Sequence, residues 1–134
     1  MRPLAPPPTD PDSDRGSTEL VVATPLMLLL LVLVVQVALW AHADHVAQTI
    51  AQHGHAATRG VEATEADGHT RATEVATQLS GDLLDGVDIE VERTATTATV
   101  RVQASVPTMI PGLDWPVNAE VSGPVERLTP GGGP

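Results

Sequence analysis

The chain has no cysteine, no lysine, no phenylalanine and no tyrosine, and Trp40 and Trp115 are its only aromatic side chains. Without cysteine there is no disulfide framework, no thiolate nucleophile and no Cys-ligated metal. Without large aromatics, any packed domain must be built from Val, Ala, Leu, Ile and Thr, each of which buries little area. Basic residues are also scarce. The seven that occur are all Arg, against 17 carboxylates, and the formal net charge is -10. An acidic chain with no basic stripe has nothing with which to neutralise a phosphate backbone, so nucleic acid is not an expected partner. Catalytic signatures are missing too. No Gly-rich phosphate loop follows a strand, no nucleophile elbow occurs, and the glycines of "TPGGGP" end the chain without a helix to hold an anion.

What is present begins with a long apolar run. From Leu20 to Trp40 the only polar residues are Thr24 and Gln36. At about 1.5 Å per residue this run spans roughly 31 Å, the hydrocarbon thickness of a bilayer. It reads as a transmembrane helix, with Trp40 at the outer membrane interface, where an amphipathic ring is stable. Arg15 precedes the run, and the next Arg after it is Arg59, so the positive-inside rule places the N-terminus in the cytoplasm and the C-terminal portion outside.

The rest divides by composition. Residues 1–16 form a Pro- and Asp-rich leader with little to bury, expected to be disordered. Residues 17–41 hold the membrane helix. Residues 42–84 are Ala-rich, and Ala43, Val46, Ala47, Ile50 and Ala51 recur at helical spacing, a stripe that continues the helix beyond the membrane. Ala72, Val75, Ala76, Leu79 and Leu83 mark a second amphipathic piece. Residues 85–128 change period. Val87, Ile89 and Val91 alternate with acids, Ala98 to Val106 alternate with Thr99, Arg101, Gln103 and Ser105, and Trp115, Val117, Ala119 and Val121 share one face. Three short consecutive strands predict an antiparallel meander, covered on one face by the preceding helix. Residues 129–134 are an expected disordered tail. The fold class is therefore α+β: one transmembrane helix, an Ala-rich amphipathic extension and a small three-stranded antiparallel sheet.

At the mouth of the apolar run stands an acid, Glu19. Ser17 or Thr18 is an expected helix N-cap, and Glu19 in the first turn complements the helix dipole by about 0.3–1 kcal/mol. The layout supports a second role. A cytoplasmic leader, Gly16, a short polar stretch, Glu19 and a membrane helix are the order of a prepilin processing site. Cleavage after Gly16 would give Ser17 a free α-amine, able to neutralise an acid drawn into an apolar bundle.

The segment "DRGSTELVVATPLMLLLLVLVVQVALWAHADHVAQTIAQHGHAATR" resembles the TadE-like (TadE/TadG) family, pilin-like proteins of tight-adherence (Flp pilus) systems. Gly16, Glu19 and the early Pro25 match the family's pattern, and "VNAEVSGPVERL" is similar to the closing strand of many actinobacterial members. The resemblance implies a non-enzymatic pilus-assembly protein. Its implied partners are the membrane, other pilin-like subunits and assembly-platform proteins, with no cofactor and no small-molecule substrate. The spacing departs from that of type IV pilin-like substrates, where the acid usually stands fifth after the cleavage point. Here it is third, which turns the carboxylate by about 200° and shifts it by roughly 3 Å.

Pro25 and Gln36 are candidates for helix packing in the membrane. Pro25 frees a carbonyl near Val21, and neighbouring groups satisfy such carbonyls in membrane helices. Gln36 is a donor and acceptor for another helix, or lies wet near the outer interface, which is the favoured expectation. His42 and His45, three apart, with Asp44, His53 and His55 nearby, are the one cluster with metal-ligating chemistry. They lack a third convergent ligand and a general base, and solvated histidines are expected instead of a metal site. An alternative reading stands beside the pilin-like one. In it an exported acidic binding module is released by signal peptidase after Ala41-His42-Ala43, or held as a simple single-pass anchor.

Overall fold

The computed structural model describes residues 2–8 and 11–128, so the expected tail at 129–134 and residues 1, 9 and 10 of the leader lie outside the described residues. Residues 2–8 carry neither helix nor strand. Helix α1 (Pro11–Thr58) is followed by α2 (Glu65–Leu79) and then by β1 (Asp85–Arg93), β2 (Thr97–Val106) and β3 (Trp115–Pro124). This is the α+β architecture the periodicities predict. Internal contacts separate the chain into Met1–Val35 and Gln36–Pro134, and α1 runs through both.

The start of α1 differs from expectation. The helix begins at Pro11, a residue type suited to a first helical position because its missing N–H is one that a helix start leaves unpaired anyway. Ser17 and Thr18 consequently lie inside the helix and cap nothing. Their hydroxyls donate back to the Asp14 carbonyl, at 3.0 Å and 2.8 Å. Within Met1–Val35 the aliphatic side chains of α1 stay open, from Leu20, 66% exposed, to Val34, 58% exposed.

In Gln36–Pro134 the later turns of α1 become one wall of a core. Ala43, Val46, Ala47, Ile50 and Ala51 are all buried, as their helical spacing predicts. Helix α2 starts at a capping box. Thr64 Oγ1 accepts from the Asp67 N–H at 3.3 Å, and Asp67 Oδ2 accepts from the Thr64 N–H at 2.7 Å, so two backbone donors at the helix start are satisfied reciprocally. Ala72, Val75 and Ala76 turn inward, whereas Leu79, expected on the same stripe, is exposed. It is the last residue of the helix, where the chain is already turning away through Ser80 and Gly81.

The three strands form an antiparallel sheet in the order β1-β2-β3, with β2 central. Register places Val91 opposite Val100 and Val102 opposite Ala119, so the alternation read from each strand falls on one shared face. The register shifts between Asp85 and Asp88, where β1 begins. The inner face brings Val100, Val102, Val106, Val117 and Ala119 against Ala43, Ala47, Ile50, Ala72 and Val75 of the helices. The core is made almost entirely of Val and Ala. With so little area per residue, close approach of backbones replaces bulk, and small side chains allow it.

Candidate functional site

The expected processing and docking residues sit on α1 in the first unit. Nothing lies within 4 Å of where a Gly16 side chain would begin, and Ser17 and Glu19 are exposed. Asp14, Arg15, Thr18, Glu19 and Val22 share one open face of the helix. Pro25 lies within α1, which continues past it. This segment brings no enclosed cavity and no converging catalytic groups. What it offers is an acid at the head of a long exposed aliphatic surface, and exposed apolar surface of that extent marks a membrane or protein contact.

Gln36 behaves differently from either expected role. It is fully buried. Its Nε2 donates to the Pro107 carbonyl at 3.4 Å, and its Oε1 accepts from the Met109 N–H at 3.3 Å. The favoured expectation, a wet amide at the interface, is thus replaced by a side chain that holds the β2–β3 loop of its own chain. One turn further along α1, Trp40 Nε1 donates to the Pro116 carbonyl at 3.1 Å, with the ring still 38% exposed. Both side chains therefore tie α1 to the ends of β2 and β3. A lone polar residue in an apolar run carries no sign in the sequence of which backbone it will meet.

The outer face of the sheet carries a charge cluster that the sequence reading did not assemble. Arg101 Nε stands 2.5 Å from Glu120 Oε2, and its Nη1 lies 3.9 Å from both Glu90 Oε2 and Glu92 Oε2. The hydrogen bond and charge of Glu120 hold the Arg101 guanidinium above its ordinary pKa, with smaller contributions from Glu92 and then Glu90. The signal was present in the strand register, since Glu90 and Glu120 pair with Arg101 from either side. It becomes visible only once the strands are aligned. These pairs are exposed, and such pairs add little to stability.

The histidines stay apart. His42, His45 and His53 are exposed and His55 is half-buried, and among the described residues no three His, Cys, Asp or Glu side chains come together in an arrangement able to hold a metal ion.

Among the described residues one helix is long and apolar enough to cross a membrane, and it precedes a small α+β unit of one further helix and a three-stranded sheet. One stretch of the chain is similar to a known family. Residues 16–54 match the model of the TadE-like protein family, and the similarity is confined to that stretch. The match begins at Gly16 and ends at Gly54 on α1, before the sheet. Comparison with curated proteins and with solved structures gives no match.

Proposed function

We propose that this protein is a non-enzymatic, membrane-anchored, pilin-like component of a tight-adherence (Flp pilus) or type IV-like secretion assembly. Its N-terminus lies in the cytoplasm and its α+β domain outside. The observation that carries this reading is the TadE-like match over 16–54 on a helix whose aliphatic side chains are open from Leu20 to Leu31. In lipid that surface is satisfied, and an α-helix meets every backbone polar group internally. Other pilin-like subunits pack against it in the membrane, and assembly-platform proteins receive it there.

Processing follows from the same segment. A peptidase reaching Gly16 would leave Ser17 with an α-amine and Glu19 as the acid for an ammonium on a neighbouring subunit. The openness around Gly16 supports access. The competing release after Ala43 is disfavoured by packing. Ala43 is completely buried among core residues of its own domain, and Gln36 and Leu39 upstream of it are part of the same packed unit. Cutting there would remove a structural wall from the domain it frees.

The test is the mass and N-terminal residue of the mature protein recovered from its own cells, together with its partition between membrane and aqueous fractions. A membrane-retained form starting at Ser17 supports the prepilin route. A start at Met1 in membranes supports an uncleaved anchor. A soluble form starting at Asp44 overturns the assignment.

A further inference from the structure

We propose that the β2–β3 loop, residues 107–114, is a second membrane contact that dips into the bilayer interface beside the helix. It rests on the membrane-anchored reading given above. The loop reads "PTMIPGLD", and no charged residue occurs between Arg101 and Asp114. Met109 is 64% exposed and Leu113 45%. An apolar loop tip on a chain this acidic is unexpected if the tip faces water.

Position along α1 says what covers it. Gln36 grips the loop backbone at Pro107 and Met109. Gln36 lies within the apolar run, one helical turn or about 6 Å before Trp40, the residue expected at the interface. The loop is therefore held at a depth where α1 itself is apolar, and Val37 and Trp40, the neighbouring residues of α1 in the same unit, are exposed.

Part of the loop backbone is also prepared for a poorly hydrated setting. Pro107 and Pro111 have no N–H to satisfy. The Met109 N–H donates to Gln36 Oε1, the Ile110 N–H to Thr108 Oγ1 at 3.0 Å, and the Leu113 N–H to the Ile110 carbonyl at 3.4 Å. Irregular backbone enters the edge of a membrane only when its polar groups find partners in this way. The buried glutamine in an otherwise aliphatic helix is explained by the same demand. The occupant is lipid: residues 107–113 are uncharged and largely apolar, and carry none of the charge complementarity that steers an acidic domain to a protein partner.

The absence of cysteine makes a clean experiment possible. Full-length single-cysteine variants Met109→Cys, Leu30→Cys and Glu92→Cys are labelled with an environment-sensitive fluorophore. They are reconstituted in phosphatidylcholine–phosphatidylglycerol vesicles containing lipids with a nitroxide at a shallow or a deep acyl position. Position 30 reports the anchoring helix, and position 92, on the outer face of the sheet, reports water. The expected result is a blue shift and loss of emission at 109 with the shallow nitroxide, loss at 30 with the deep one, and neither at 92. Quenching at 30 with none at 109 overturns the loop contact and leaves the anchor standing. No quenching at 30 removes the anchor and the loop contact together. A blue shift at 109 that ignores both nitroxides and grows with the protein-to-lipid ratio overturns the proposal in favour of contact with a second copy.

Discussion

Gly68 of α2 stands so close to Thr58 of α1 that a β-carbon on it would lie 1.7 Å from the Thr58 hydroxyl oxygen. That hydroxyl is buried and donates to the Gly54 carbonyl at 2.7 Å, and a side chain on Gly54 would in turn meet Ala72 at 3.0 Å. The two helices cross on glycine, and the valine-alanine core depends on that approach because its side chains are too short to bridge a wider gap. Gly68→Ala should therefore destabilise the domain by at least about 1–3 kcal/mol, the usual range for overpacking. Thermal or denaturant unfolding of the detergent-solubilised protein measures it. Adding Thr58→Ala should restore only part of the loss, since the Thr58 β-carbon at 3.0 Å and the Gly54 carbonyl at 3.1 Å still crowd the new methyl.

The central strand offers a harsher substitution. Val102 is fully buried, and both flanking strands pair with it, Ile89 on one side and Ala119 on the other. Val102→Asp places an unpaired charge on the one apolar face of the sheet. Against a total stability of about 5–15 kcal/mol for an ordinary domain, that penalty should unfold residues 36–128. Limited proteolysis checks it. A variant that stays as resistant as the parent would show that Val102 does not face the core.

Much of this architecture was legible beforehand, and the reason is periodicity. Ala43, Val46, Ala47, Ile50 and Ala51 declare a helix face by spacing, and Val100, Val102, Val117 and Ala119 declare a sheet face by alternation; all are buried together. Residues whose partners are distant in sequence were not legible. Gln36 bonds to a loop more than seventy residues away, and Arg101 meets Glu90 and Glu120 only through strand register. The helix start departs from expectation for a local reason. Ser17 and Thr18 have the chemistry of caps, but Pro11 with Asp12 and Asp14 behind it opens the helix earlier, and the two hydroxyls bond back into the turn instead.

The capping box gives a pH dependence with a definite sign. The Asp67 carboxyl is held below its ordinary value by the backbone N–H of Thr64 and then by the Thr64 hydroxyl. A carboxylate with a lowered folded-state pKa contributes its full share of stability above the unfolded value of about 3.9. That share is lost as pH falls through the lower folded value. The difference in melting temperature between the parent and Asp67→Asn should therefore be constant from neutral pH to about pH 5 and shrink in stronger acid. A gap that stays unchanged down to pH 2 would show that the Asp67 charge contributes nothing to α2.

Gln36 supports the last prediction. Gln36→Leu keeps the volume and the apolar character of the run but removes one donor and one acceptor, leaving the Met109 N–H and the Pro107 carbonyl without their partner. An orphaned polar group of this kind costs about 1–3 kcal/mol where it is shielded from water. Because the remaining core is untouched, the loss should stay local. Hydrogen exchange in detergent micelles should show faster exchange at the Met109 amide, with the amides of β2 and β3 protected as before. If exchange instead accelerates across the whole sheet, the glutamine supports the domain's global stability. If Met109 does not change, water or another group already satisfies the loop, and the buried amide of α1 is not what holds it.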